Sequence, residues 1–321
     1  MTALVHAANV SHGFAVGHGL LARQKLIMAL RDVDLAIGRG EALGIVGESG
    51  CGKSTLGRLL LGLLAPTRGR IVFDGQDLSG LTRPALRRLR RRMQMIFQDP
   101  YASLDPRRAI GAQIADGMRI HGLADGSAAR DRVAELIGLV GLDPSHAARL
   151  PHEFSGGQRQ RIAIARALAT QPDFVVADEP VSSLDVSVQA QVLNLLAELR
   201  EKLGLALMFI SHDLTVVKYL CERVAVMYLG RIVEEGRSSE VLGAPAHPYT
   251  RALLAATPSL RPRPRQMRQV AGEPPSAFTP PSGCAFRARC PFAIPACVDA
   301  VPPLERAGDG RRVACLRAAE I

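Results

Sequence analysis

A short apolar run, residues 41–46, ends on Gly47-Glu48-Ser49-Gly50-Cys51-Gly52-Lys53-Ser54-Thr55 and passes into a helical pattern with Leu56, Leu59, Leu60 and Leu63 on one face. No other stretch limits the fold so tightly. The spacing G-x-x-x-x-G-K-[ST] between a strand and a helix is that of a phosphate-binding loop. Its glycines let the backbone turn tightly and aim N–H groups at phosphate oxygens. The start of the helix adds a positive partial charge. In that setting Lys53 is expected to reach the β- and γ-phosphates of ATP, and Ser54 to ligate Mg2+, with Thr55 assisting through its hydroxyl. A glycine-rich turn without a ligand is the bland alternative, and the strand–loop–helix setting weighs against it.

Downstream, strand and helix patterns alternate. Residues 71–73 begin a strand that ends at the turn Asp74-Gly75. Residues 113–142 read as helix, bounded by glycines and Pro144, and residues 158–169 as another, with Ile162, Ala165 and Ala169 on one face. Residues 174–177 form an apolar strand, 186–203 a helix and 205–210 a second buried strand. Such alternation predicts a doubly wound α/β domain. The 321 residues, 47% of them apolar, are enough for one large domain and a small one. Composition changes after residue 256: residues 258–281 are rich in proline and arginine and read as a linker or surface wrap.

The strand at 174–177 runs into Asp178 and Glu179. A buried parallel strand delivers side chains at its C-terminal edge, where α/β folds bind ligands. Asp178 suits the Mg2+ shell, and Glu179 suits a base that polarises the attacking water. The formal net charge of +10 suits anionic partners but fixes none of them. The basic run 83–92 places Leu86 and Leu89 at helical spacing and has no interleaved aromatics to stack bases, so it reads as a solvated helix face rather than a nucleic-acid grip. Residues 59–65 and 205–210 are the longest apolar stretches, far short of the ~18 residues of a membrane helix. With no secretory pattern at the N-terminus, the chain is expected to stay in the cytosol, and any membrane role to need a partner that does the spanning.

A more specific pattern is Phe154-Ser155-Gly156-Gly157-Gln158, followed by Arg159-Gln160-Arg161. It resembles the signature sequence of ABC-type ATPases, with Phe154 where leucine is usual. The order of motifs is similar too: phosphate loop, Gln98 in Phe97-Gln98-Asp99-Pro100, signature, acidic strand, Ser182-Ser183-Leu184-Asp185, then His212. The resemblance implies a P-loop NTPase core with a helical subdomain at about residues 99–160. It implies that Gln98 reaches Mg2+ and the attacking water, and that Ser155, Gly156, Gly157 and Gln158 contact the nucleotide held by an opposite subunit. Asp185 resembles the aspartate that communicates between the two sites, and His212 the switch histidine near the γ-phosphate. Phe14 is the candidate to stack on adenine; an ordinary core phenylalanine is the other reading.

Residues 95–106, 179–191 and His247-Pro248-Tyr249-Thr250 look like the peptide-importer branch of the family. Pro281-Ser282-Gly283-Cys284 and Arg289-Cys290-Pro291 are similar to the C-terminal extension of dipeptide and oligopeptide transporter ATPases. Nickel importers share much of this pattern. The resemblance therefore implies an ATP-hydrolysing subunit on the cytoplasmic side of the inner membrane. It would pair with a second ATPase subunit, identical or different, dock on two permease subunits and serve a substrate-binding protein indirectly. Its nucleotide-binding domain would span residues 1–256 and the extension 257–321. Nucleic acid is not an expected partner: the span from residue 55 to 154 is too short for the coiled coil of DNA-repair members, and there is one motif set where ribosome-acting members carry two. A non-hydrolysing regulatory subunit would be expected to lack Glu179 or His212.

Of six cysteines, Cys284, Cys290, Cys297 and Cys315 crowd the C-terminal end. In a reducing compartment such a cluster favours a metal over disulfides. They lack the tight Cys-x-x-Cys pairs of most structural zinc sites. An iron–sulfur cluster, zinc and free buried thiols are the three alternatives, and the resemblance of the extension to cluster-binding segments favours the first.

Overall fold

The computed structural model describes residues 3–16, 25–256, 275–276, 280–307 and 310–321. It divides into two units, each discontinuous in sequence: Met1–Leu4, Ile37–Glu41 and Gly80–Ile210 form the first, and Val5–Ala36, Ala42–Ser79 and Ser211–Ile321 the second.

In the first unit three parallel strands, Met93–Ile96, Phe174–Asp178 and Ala206–Ile210, lie side by side with the Phe174 strand in the middle. Phe174 pairs with Met93 on one side and Ala206 on the other, and Asp178 with Ile210. Every residue of the latter two strands is buried, which explains their unbroken apolar runs. Helices Gly156–Leu168 and Val186–Leu203 accompany them, close to the expected bounds. The single helix expected over 113–142 is in fact two, Ile110–Ile120 and Gly126–Leu139. Gly122 takes a left-handed φ of 64° just past the first, and the Asp125 carboxylate caps the second by accepting from Gly126 N–H. The basic run forms the helix Arg83–Arg90, with Arg83, Arg87 and Arg88 exposed and Leu89 buried, the solvated face expected of it.

The second unit holds two sheets. Ala42–Val46 pairs in parallel with Arg223–Tyr228, which turns at Leu229 and Gly230 into antiparallel Arg231–Arg237. Both turn residues have positive φ, 44° and 81°, the geometry that suits a two-residue hairpin. Arg231–Arg237 then pairs with Arg312–Val313 of the tail, which pairs with Glu305–Arg306. The other sheet has the order Lys25–Ile37, Val5–Val16, Arg68–Phe73, Gln76–Asp77, and Arg68–Phe73 pairs antiparallel with both of its neighbours. Asp74 and Gly75, both at positive φ, make its expected tight turn. The strand ending at Phe73 thus pairs antiparallel in a sheet that the doubly wound reading did not foresee. Helix Lys53–Leu60 stops short of Leu63, the last residue of its expected apolar face, because Gly62, at φ 62°, closes it: Gly62 N–H donates to Leu59 O and Leu63 N–H to Arg58 O.

The expected linker at 258–281 lies outside the described residues, except for 275, 276, 280 and 281. Among the described residues no helix is long and apolar enough to cross a membrane.

Candidate functional site

The phosphate loop lies in the second unit. Its glycines adopt left-handed or otherwise positive φ: 153° at Gly47, 76° at Gly50 and 108° at Gly52. A Cβ on Gly47 would stand 2.2 Å from Met227 O, and one on Gly52 2.7 Å from Ala29 O, so conformation and space both require glycine there. Cys51 O accepts from Gly230 N–H at 2.9 Å, which fastens the loop to the hairpin turn. Lys53 is buried, and its ammonium donates to the carbonyls of Gly47 (2.8 Å) and Glu48 (3.0 Å). Its positive charge is thereby aimed into the loop. Cys51 Sγ lies 3.9 Å from the same ammonium, and burial pushes its thiol pKa up, so it serves as a small packed side chain. Ser49 and Gly50 are exposed at the mouth, and Ser54 and Thr55 are half-buried in the first helical turn.

Two contacts on Glu48 were not foreseen. Its N–H donates to the buried Tyr249 hydroxyl at 2.8 Å, and its carboxylate meets the Arg289 guanidinium at 2.9 Å through both oxygens. Both residues stand in segments read from sequence as branch markers, but neither spacing signals a contact 201 or 241 residues away.

His212 is exposed, between buried Ser211 and the helix Leu214–Leu220. Asp213 caps that helix by accepting from Thr215 N–H at 2.8 Å, and Ser211 N–H donates to Ile45 O, in the strand that feeds the phosphate loop. Phe14 is 42% exposed and packs edge-on against His12 at 4.7 Å, which removes the core-phenylalanine reading.

The first unit carries the remaining motifs. Asp178 ends its strand buried, and Glu179 follows at a φ of 45°, left-handed for a residue with a side chain. Non-glycine residues in such conformations cost about 1–3 kcal/mol and gather at active sites. Here the conformation is held by Glu179 N–H donating to Ile210 O and by Ser182, whose N–H and hydroxyl both reach Glu179 O. The Gln98 amide donates to Glu179 Oε2 at 3.2 Å, so these two predicted residues, 81 apart in sequence, meet.

The signature opens helix Gly156–Leu168. Ser155 caps it: Gln158 N–H reaches Ser155 Oγ at 3.4 Å and Ser155 N–H donates to the Gln158 side chain at 2.9 Å, a capping box. A Cβ on Gly157 would stand 2.3 Å from Val188 Cγ1, so the glycine brings this helix against Val186–Leu203, whose N-cap is the exposed Asp185. Phe154, in the place of the usual leucine, is buried as leucine would be. Arg159, the residue after Gln158, lies 3.7 Å over the ring of Tyr101, a cation–π contact between the signature helix and the segment following Gln98.

The four C-terminal cysteines are free thiols that line one cavity of about 20 Å³ with His247, Phe286 and Phe292. Burial raises the thiol pKa of Cys284, Cys290 and Cys315. Among the described residues no group of three or more His, Cys, Asp or Glu side chains is placed to hold a metal ion. The zinc expectation therefore gains no support. The iron–sulfur expectation gains none either: the four thiols share one small cavity but are not arranged to hold a metal.

A family model described as ABC transporter matches residues 30–182, and one described as oligopeptide/dipeptide transporter, C-terminal region, matches residues 233–297. The chain is 53% identical over 296 residues to a Brucella ovis protein named, provisionally, as a peptide import ATP-binding protein, covering 92% of this chain and 93% of that one. It is 47% identical over 317 residues to the oligopeptide transport ATP-binding protein AppF of Bacillus subtilis, with 97% and 96% covered. The dipeptide transport ATP-binding protein DppF of Escherichia coli is also 47% identical, over 313 residues, with 97% and 93% covered. Among solved structures, the dimeric ATP-binding cassette MJ0796 bound to ADP and Pi, in a post-hydrolysis state, is similar at a TM-score of 0.65 and 30% identity, over 73% of this chain and 98% of that one.

Proposed function

The chain belongs to the ABC transporter ATP-binding family, in its oligopeptide/dipeptide branch, and from that premise we propose that it binds and hydrolyses ATP to power peptide import across the cytoplasmic membrane. The observation that carries the ATPase reading is the phosphate loop, with three glycines at positive φ around an ammonium held on the carbonyls of Gly47 and Glu48.

The loop's N–H groups and Lys53 hold the β- and γ-phosphates. Oxygen donors from Ser54, Gln98 and Asp178 suit Mg2+, which would neutralise charge on the phosphates when bound. Glu179, steadied by the Gln98 amide, accepts a proton from the attacking water. His212 is the polar contact for the γ-phosphate, and its exposure beside a capped helix supports that role. Phe14 stacks on adenine; its exposure supports this.

Ser155, Gly156, Gly157 and Gln158 are positioned by a capped helix start, a terminus suited to an anion. We assign them to the nucleotide of a second ATPase subunit, with Asp185 beside them linking the two sites. The pair, identical or different, closes on two ATP molecules and drives two permease subunits, to which a substrate-binding protein delivers the solute. The chain then sits peripherally on the cytoplasmic face of the membrane, with residues 1–256 as motor domain and 257–321 as extension. Purification from membranes, identification of the bound permeases and ATPase assays with candidate solutes test this. Stimulation by di- or oligopeptides is expected; stimulation by nickel and not by peptides would move the chain to a nickel importer.

An iron–sulfur cluster stapling the tail would take its donors from Cys284, Cys290, Cys297 and Cys315, which share one cavity but are not arranged to hold a metal ion as they stand. Anaerobic purification with iron and acid-labile sulfide analysis tests this, and a colourless, metal-free protein rules it out.

A further inference from the structure

Glu48, the second residue of the phosphate loop, is held from outside the loop at both its backbone and its side chain. Arg289 Nη1 donates to Glu48 Oε2 and Nη2 to Oε1, each at 2.9 Å, a parallel fork of charge-assisted bonds. The Arg289 side chain is 8% exposed and that of Glu48 29%. The guanidinium also reaches the Tyr228 hydroxyl at 3.4 Å. Tyr249, whose hydroxyl accepts from Glu48 N–H, stacks at a tilt on Tyr228 at 4.5 Å. Phe286 packs edge-on against both tyrosines at 5.4 and 5.5 Å. Arg289 N–H donates to Phe286 O, which fixes the arginine to that aromatic cluster. From inside the loop, Lys53 donates to Glu48 O. Tyr249, Phe286 and Arg289 all fall within residues 233–297, the part matched by the oligopeptide/dipeptide model, whereas Glu48 belongs to the general ATPase motif.

A surface ion pair contributes little, but this one is largely dehydrated, bidentate and attached to a loop that must be rigid to work. Oriented N–H groups bind phosphate well only if they need no reordering when it arrives. An uncompensated carboxylate at Glu48 would also repel the phosphates that the loop receives. Both effects run in the same direction.

We propose that Arg289 is a positioning residue for the phosphate loop, through which the C-terminal extension sets the affinity for ATP. This rests on the ATPase reading above. The fork neutralises Glu48 and fixes its side chain, while Tyr249 fixes its N–H. Nucleotide affinity is then a property of the docked tail as well as of the loop.

The test is a double-mutant cycle in the full-length chain: wild type, Arg289→Ala, Glu48→Ala and the double variant, with Arg289→Lys as a fifth protein. Binding of a fluorescent Mg-ATP analogue is titrated, and the nucleotide-free melting temperature is read alongside. Arg289→Ala is expected to weaken binding on the order of tenfold, about 1.4 kcal/mol. The double variant should bind no more weakly than Arg289→Ala alone, because the residues act as one unit. Arg289→Lys keeps the charge without the fork and should lose affinity by a smaller factor; it serves if the alanine variant does not fold. Wild-type affinity in both Arg289 variants, or losses that simply add in the double variant, would overturn the proposal. A wild-type chain that fails to bind the analogue would instead overturn the ATPase reading on which it rests.

Discussion

Replacing Tyr249 by phenylalanine removes one oxygen from the floor of the phosphate loop and nothing else. The ring is 1% exposed and keeps its contacts with Tyr228 and Phe286, so no side-chain volume beyond the hydroxyl is lost. What disappears is the acceptor for Glu48 N–H at 2.8 Å. Burial raises the pKa of that hydroxyl, so it is neutral at any working pH and no charge changes hands. Leaving a buried donor without its partner costs about 1–3 kcal/mol. Glu48 is only partly buried, its side chain 29% exposed, so water can take up part of the loss, which places the expected cost near the low end, about 1–1.5 kcal/mol. For a chain of 321 residues that is a drop of roughly 1.5–2 °C in Tm. Thermal unfolding with and without Mg-ATP is the assay. Bound nucleotide stabilises by RT ln(1 + [L]/Kd), so a loosened loop should also shrink the shift that ATP produces. Unchanged melting together with an unchanged ATP-induced shift would refute the reasoning, because it would mean that the hydroxyl holds nothing that matters.

Glu179→Gln keeps a side chain that Gln98 can contact but cannot take a proton; ATP should still bind while turnover falls by roughly 100-fold or more, and full activity would remove Glu179 as the base. Lys53→Ala should lose nucleotide affinity, read by the same analogue titration, and unchanged binding would contradict the phosphate-loop assignment. His247 is buried, accepts from Tyr249 N–H at Nδ1, and has its pKa lowered by desolvation to about 3. The folded state therefore holds it neutral while the unfolded chain protonates near pH 6.5. Its stability contribution is complete above about pH 6.5 and is lost at up to about 1.4 kcal/mol per pH unit as pH falls toward 3. Urea denaturation at a series of pH values should show that fall, and His247→Gln should flatten it.

The strand–loop–helix around Lys53 was legible because its constraints are local: positive φ at glycines, a helix start and a neighbouring apolar run all show in consecutive residues. The capping box at Ser155 and Gln158, local in the same sense, was not read from the sequence, and the helix accordingly starts two residues before the expected 158. The break at Gly122 was less legible, because apolar residues at Ile110, Ile114 and Met118 and at Val133, Leu136 and Ile137 keep helical spacing on both sides of it. The sheet that holds Arg68–Phe73 was missed for a different reason. Its strand Val5–Val16 carries a register shift between Ala8 and Ser11, with Asn9 at a φ of 50°, and a bulge disrupts the two-residue alternation that marks a strand.

By itself, then, the sequence marked the ATPase: a phosphate-loop pattern between a strand and a helix, two carboxylates at the end of an apolar strand, and a segment resembling the family signature. Tertiary structure decided what holds those parts in place. Arg289 and Tyr249 reach Glu48, and Gln98 reaches Glu179, across separations that no periodicity records. A phosphate loop is written in neighbouring residues because backbone dihedrals are local, whereas the groups that steady it are chosen by packing, which brings together whatever the folded chain makes adjacent.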